Sequence, residues 1–229
     1  MVPMTDLNLN ETVRSYWVKR VWNHMADTYC GISMMKFPED LRSYEHLIWE
    51  TQPEVIVEIG CRSGGSTLWF KDRLEILRRH GGQSKPFRVV GIDLEVSKAE
   101  ENVRKVYPEY AKDIVFLKGD VLDAKLPDRV KEVTHGHSRF MVIEDSAHKY
   151  ESTMAALNNF SPMIEVGGFF VVEDTCVDDE QMRPAADWPR GAGKALGDWL
   201  SKNPHFKRRR DFEAYGLTCH PGGFLERTS

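Results

Sequence analysis

Five short apolar runs punctuate the middle of this chain, and each closes on a glycine or an acid. Val55–Ile59 runs into Gly60, and Arg88–Val90 into Gly91-Ile92-Asp93. Ile114–Leu117 leads to Gly119-Asp120, Phe140–Glu144 to Asp145, and Phe169–Glu173 to Asp174. The stretches between most of them carry helical periodicity. Helices are expected from about Ser66 to Arg79, through Val103, and from about Tyr150 to Ile164, with Gly81-Gly82 and Gly167-Gly168 as stops. Short strands that are apolar on both faces, alternating with helices, need a parallel sheet covered on both sides. In such an open sheet, ligands bind outside the carboxyl ends of the strands, and the acids stand there.

The two ends of the chain depart from this alternation. Val13, Trp17, Val21, Trp22 and Met25 predict a helix over 10–27. A second helix should start at Pro38, with Glu39 and Asp40 in its first turn, and stop before Pro53. The expected division is a helical extension over 1–52 and an α/β domain over 53–229. Phe206–Phe212 and Phe224–Arg227 read as strands flanking the turn at Pro221-Gly222-Gly223, an antiparallel addition at one sheet edge. An exposed amino-terminal helix would also suit a homo-oligomer.

Composition narrows the partners. A chain of 229 residues with 41% hydrophobic content suits one elaborated domain with a sizeable core. Its net charge of −4 gives no reason to expect nucleic acid or an acidic membrane as partner. The basic run Lys207–Arg210 reads as a solvated strand face. Cys30, Cys61, Cys176 and Cys219 form no CxxC pair, so neither a zinc knuckle nor a disulfide framework is expected. The chain shows no signal-peptide pattern and no apolar run near the ~20 residues of a membrane span, so the reducing cytoplasm is the expected compartment.

The loop after the first strand reads Glu58-x-Gly60-x-x-x-Gly64-Gly65-Ser66. Gly60 allows a tight turn, and Gly64 and Gly65 leave N–H groups open at a helix start. A phosphate loop would need Lys-Ser or Lys-Thr after the glycines. A dinucleotide fingerprint would need glycine where Arg62 stands, which disfavours NAD without excluding it. Asp93 is placed to accept from ribose hydroxyls, and Asp120 from an adenine amine. Ordinary strand-to-loop turns also favour Gly and Asp. Three such features at successive strand ends favour a nucleoside-bearing ligand.

Asp145, Glu173 and Asp174 close two strands expected to be neighbours. Crowded carboxylates repel unless protons or a cation intervene. Mg²⁺ takes oxygen ligands and keeps waters that substrate hydroxyls can replace. His148, three residues past Asp145, can overhang the same site as a general base. Helix caps and a surface histidine would be the plainer explanation. The cofactor loop nearby weighs against it.

Taken together, these segments resemble the cephalosporin hydroxylase/rhamnosyl O-methyltransferase family of S-adenosylmethionine-dependent enzymes. The landmarks are Tyr29-Cys30-Gly31, Lys36-x-Pro38-x-Asp40-Leu41, the glycine loop, Gly91-Ile92-Asp93, Gly119-Asp120, Asp145-Ser146-x-His148, Glu173-Asp174 and Pro221-Gly222-Gly223-Phe224-Leu225. The resemblance implies a Rossmann-like class I methyltransferase fold: a mostly parallel, doubly wound α/β sheet with antiparallel carboxyl-terminal strands. It implies that Glu58, Gly60, Ser66, Asp93 and Asp120 hold S-adenosyl-L-methionine and its product S-adenosyl-L-homocysteine. It implies Mg²⁺ on Asp145, Glu173 and Asp174, and His148 as general base. The implied acceptor is a small-molecule natural product, most of all a deoxysugar such as a rhamnosyl unit, with β-lactam or phenolic hydroxyls as alternatives. Trp17, Trp22, Tyr29, Met34 and Met35, with the loop Asp187–Gly191, are expected to shape the acceptor pocket, although the helical tryptophans also suit core packing. An NAD-dependent oxidoreductase and a non-catalytic adenosyl-binding protein are the readings from other classes.

Overall fold

The computed structural model describes residues 11–82 and 86–229. The chain opens with helix α1 (Val13–Val21), a 3₁₀ turn (Trp22–Ala26) and a small antiparallel hairpin of β1 (Thr28–Tyr29) and β2 (Ile32–Ser33). Helix α2 (Pro38–Thr51) leads to the alternating body. It runs β3 (Val55–Ile59), α3 (Gly65–His80), β4 (Arg88–Asp93), α4 (Ser97–Val106), β5 (Ile114–Lys118), α5 (Leu126–Val133), β6 (Phe140–Glu144), α6 (Tyr150–Phe160) and β7 (Phe169–Val172). Helix α7 (Ala192–Leu200) and strands β8 (Phe206–Arg208) and β9 (Phe224–Arg227) complete it.

The main sheet has the order β5-β4-β3-β6-β7-β9-β8. The first five strands are parallel, and β9 and β8 join antiparallel beyond β7. This is the doubly wound α/β architecture expected. Strand order reverses between β3 and β6, a switch point that opens a crevice above their carboxyl ends. The register sets Ile59 opposite both Ile92 and Glu144, so the loops after β3, β4 and β6 start level.

Each sheet face carries its own core. Ile56 faces a cluster with Tyr44, Leu47, Phe70 and Leu74 from α2 and α3. Val55 and Val57 face the opposite cluster with Leu126, Leu157, Phe160 and Leu196 from α5, α6 and α7. Alternation along a strand that is apolar on both sides produces the two layers. Full burial of a side chain such as Leu74 or Phe170 contributes about 1.5–3 kcal/mol. Helix α2 begins with Pro38 at its first turn beside Glu39 and Asp40, which complement the helix dipole.

Several elements differ from the sequence reading. The first helix gives way to a 3₁₀ turn after Val21, and Asn10, its expected start, lies outside the described residues. The expected strand 206–212 stops at Arg208, and Arg210–Phe212 is a 3₁₀ turn. At that point the Arg209 N–H still donates to the Phe224 carbonyl, and Glu226, Glu50 and Asp211 hold its guanidinium. Hairpin β1–β2 and helices α5 and α7 were not anticipated. No described helix is long and apolar enough to cross a membrane.

Candidate active site

A cavity of about 680 Å³ opens at the carboxyl ends of β3 to β7. Gly60, Ser66, Asp93 and Asp120 line it over β3, β4 and β5, and Asp145, His148 and Asp174 line it over β6 and β7. Seven of the nine expected site residues thus line the cavity; the other two, Glu58 and Glu173, are buried carboxylates absent from the lining.

Over β3 to β5 the wall is made of main chain. The N–H groups of Gly60 and Cys61 donate to the Ile92 carbonyl. The Arg62 N–H donates to Asp93 Oδ2 at 2.8 Å, which joins the glycine loop to the end of β4. Gly60 adopts φ +103°, and a Cβ there would run into the backbone carbonyl of Asp145. Only glycine lets the loops after β3 and β6 approach so closely. Asp120 accepts from the Leu122 N–H at 3.0 Å, which fixes its carboxylate at the rim. Glu58 accepts from Thr67 at the start of α3 and lies behind this wall, so it braces the loop without lining the cavity.

Over β6 and β7 the wall is made of charged side chains. Alternation turns Glu144 away from the cavity, toward Thr153 and Ser146. Asp145, next in the chain, turns toward it. His148 Nε2 lies 3.3 Å from Asp174 Oδ2 and 3.8 Å from Asp145 Oδ1. Donor atoms of Asp145, His148 and Asp174 all lie within 4.8 Å of one another. His148 and Asp174 both adopt left-handed backbone, each with φ +52°. For residues other than glycine this conformation costs on the order of 1 kcal/mol or more, so surrounding packing must enforce it. At His148 the packing is close: a Cβ on Gly191 would strike the His148 carbonyl.

Glu173 faces inward. It accepts from Lys36 Nζ at 2.7 Å and from the Tyr44 hydroxyl at 2.7 Å. Lys36 also donates to Asp145 Oδ2 at 2.5 Å and lies 3.9 Å from Glu58. One buried ammonium thus joins three carboxylates from β3, β6 and β7. Burial alone would lower the Lys36 pKa, but Asp145, Glu173 and Glu58 outweigh it and hold the group well above its ordinary value. The two carboxylates on it diverge. Burial, then the charge of Glu173, pushes Asp145 well above the usual carboxylate range. Burial acts the same way on Glu173, but Lys36 and His220 overcome it and hold Glu173 below that range. His220 Nδ1 accepts from the Asp174 N–H at 2.9 Å, so in neutral His220 the proton sits on Nε2, toward Asp40 and Glu173.

Of the expected metal trio, Asp145 and Asp174 come together beside His148, and Glu173 is occupied by Lys36 and Tyr44. The donor set that faces the cavity suits Mg²⁺, which commonly uses one or two carboxylates and keeps waters. Lys36, Tyr44 and His220 had no assigned role in the sequence reading. Charge counting was the available signal, since four clustered acids require a cation and Lys36 stands in the Lys36-x-Pro38-x-Asp40 landmark.

The remaining lining is mostly apolar. Trp22, Met25, Met34 and Met35 contribute from the amino-terminal segment, and Val177, Met182 and Pro184 from the loop after β7. Trp17 packs edge-on against Phe37, and Trp188 packs on the same satellite core. Tyr29 donates to Asp72 at 2.6 Å. Trp17, Tyr29 and Trp188 are absent from the lining.

The sequence matches the rhamnosyl O-methyltransferase/CmcI family over residues 19–228. It is 25% identical to a rhamnosyl O-methyltransferase of Mycobacterium bovis (strain BCG / Pasteur 1173P2), over 97% of this chain and 86% of that protein. It is 27% identical to a Streptomyces olivaceus 8-demethyl-8-(2,3-dimethoxy-alpha-L-rhamnosyl)-tetracenomycin-C 4'-O-methyltransferase, over 69% of this chain and 66% of that protein. A solved structure of CmcI with Mg and SAM shares the fold at a TM-score of 0.64 and 19% identity, covering 99% of this chain and 89% of that one. The O-methyltransferase NovP does so at 0.57 and 17%, covering 94% and 99%. The chain belongs to the rhamnosyl O-methyltransferase/CmcI family of S-adenosylmethionine-dependent O-methyltransferases.

Proposed function

We propose that this enzyme methylates a hydroxyl of a sugar unit on a natural-product glycoside, with Mg²⁺ bound beside the acceptor. The observation that carries the reading is the Asp145–His148–Asp174 group, which faces the same cavity as Gly60, Asp93 and Asp120. Two relatives support the acceptor class, since one is named for a rhamnosyl unit and the other for a rhamnosyl position of a tetracenomycin.

When bound, S-adenosylmethionine supplies an electrophilic methyl group and the divalent ion supplies positive charge beside the attacking oxygen. The residues would divide the work. Asp93 would accept from the ribose hydroxyls and Asp120 from the adenine amine. Gly60 and Ser66 form the wall against which the cofactor would rest, and Glu58 holds the start of α3 from behind. Asp145 and Asp174 would hold the ion. Glu173 balances charge through Lys36, which fixes one oxygen of Asp145 and acts as a positioning residue. His148 Nε2 takes the hydroxyl proton, and Asp174 at 3.3 Å stabilises the imidazolium that results. The bound cofactor would give its methyl carbon to the hydroxyl oxygen and leave as a neutral thioether. Alignment of those atoms supplies much of the rate.

The test is product formation from S-adenosylmethionine and a panel of rhamnosyl glycosides, with aglycones and phenols as controls. Methyl ethers on the sugar, lost with EDTA and restored by Mg²⁺, are expected. Methylation of phenols alone would overturn the acceptor assignment, and full turnover in EDTA would overturn the role of the ion.

A further inference from the structure

Beside the hard-ion group lies a second donor set. Asp174 is followed by the 3₁₀ turn Thr175–Asp178, which contains Cys176. The loop before β9 brings Cys219 against it, with the Cys176 N–H donating to the Cys219 carbonyl at 3.1 Å. The Cys219 N–H donates to Asp40 at 2.9 Å and Thr175 Oγ1 to the Pro221 carbonyl at 3.0 Å, so both loops are anchored. An Asp174 carboxylate oxygen and the two Sγ atoms all lie within 4.8 Å of one another. The three residues line the cavity, although both cysteines are largely buried.

We propose that Asp174, Cys176 and Cys219 form a binding site for a thiophilic divalent ion such as Zn²⁺ or Cd²⁺. Tetrahedral Zn²⁺ binds sulfur at about 2.3 Å and carboxylate oxygen at about 2.0–2.2 Å, so its donors stand roughly 3.5 Å apart. The three donors, within 4.8 Å of one another, stand close to that spacing. Two sulfurs exclude Mg²⁺, a hard ion that prefers oxygen, and select a softer one. Three protein donors leave a fourth position open to the cavity, through which the ion enters. On binding, the thiol protons pass to solvent.

The site shares Asp174 with the Asp145–His148 group. An ion drawn to the sulfurs takes that carboxylate away, so a thiophilic ion inhibits methyl transfer and competes with Mg²⁺. This consequence, unlike the site itself, rests on the function proposed above.

The test is anaerobic titration of the full-length reduced protein with Co²⁺, in a Cys30→Ser background because Cys30 is exposed. An intense sulfur-to-cobalt charge-transfer band is expected, displaced by Zn²⁺. Cys176→Ser and Cys219→Ser should each diminish the band and weaken binding at least about tenfold. Asp174→Asn should keep the band and weaken binding by a similar factor, about tenfold or more. No band in the wild-type protein, or a band unchanged in both serine variants, overturns the site. Unchanged affinity in Asp174→Asn overturns the shared carboxylate. Thermal melts show which variants fold, and if the serine variants do not, the wild-type and Asp174→Asn titrations decide. The band is read without turnover, so a failed methyl-transfer assay leaves this test intact.

Discussion

Over β3, β4 and β5 the cavity wall is held by main-chain hydrogen bonds and a glycine at φ +103°, all within one stretch of chain from Gly60 to Asp120. Over β6 and β7 it is held by ion pairs between residues more than a hundred positions apart, with Lys36 reaching Asp145 and Glu173. The first half is geometric and local. The second is electrostatic and depends on segments from both ends of the chain. A site built this way separates cofactor binding from ion and acceptor chemistry, so substitutions in one half should spare the other.

Removing the base should have the largest effect. His148→Ala is expected to lower turnover by about 10²–10⁴-fold and leave S-adenosylhomocysteine affinity unchanged. Wild-type turnover would remove His148 from the mechanism, and lost product affinity would break the separation of the halves.

Lys36→Met tests the electrostatic half at its centre. It leaves Glu173 buried without its cation, which should destabilise the protein by about 3–5 kcal/mol in chemical denaturation. The matched variant Lys36→Met/Glu173→Gln should recover much of that loss. If the pair of changes is no better than the first alone, Lys36 is not the counter-charge of Glu173.

On the geometric side, Asp93→Ala should weaken S-adenosylhomocysteine binding by about 1.5–3 kcal/mol, with Mg²⁺ affinity unaltered. Calorimetry on both ligands reads this directly, and a parallel loss of Mg²⁺ affinity would show that the halves are coupled.

The smallest effect is expected in the apolar lining. Met182→Ala should raise the acceptor KM by on the order of tenfold and leave the KM for S-adenosylmethionine unchanged. Trp188→Ala, which removes a side chain outside the lining, should not change the acceptor KM. The opposite pattern would move the acceptor site toward the loop 187–191.

The same contrast explains what was legible in the sequence. Apolar runs that end in Gly60, Asp93, Asp120, Asp145 and Asp174 mark parallel strands and the rim of their crevice, because strand period and turn chemistry are local properties. The antiparallel addition at Phe224–Arg227 was legible for the same reason. Helix α7 was not, because Gly193 and Gly197 lie inside it and weaken its helical signal. The β1–β2 hairpin is only two residues on each side, too short for an alternating pattern. Glu173 looked equivalent to Asp174 in sequence. Their difference comes from Lys36 and Tyr44, whose approach is a tertiary fact. Strand alternation separates Glu144 from Asp145, but it does not indicate which distant cation a buried carboxylate meets.

The most direct measurement is calorimetric titration of S-adenosylhomocysteine and of Mg²⁺ into the wild-type protein and into Asp145→Asn/Asp174→Asn. If the two halves are built as described, S-adenosylhomocysteine binds both proteins with similar affinity, and Mg²⁺ binds only the wild type. Mg²⁺ binding that survives in the variant, or product binding that disappears with it, would contradict the account.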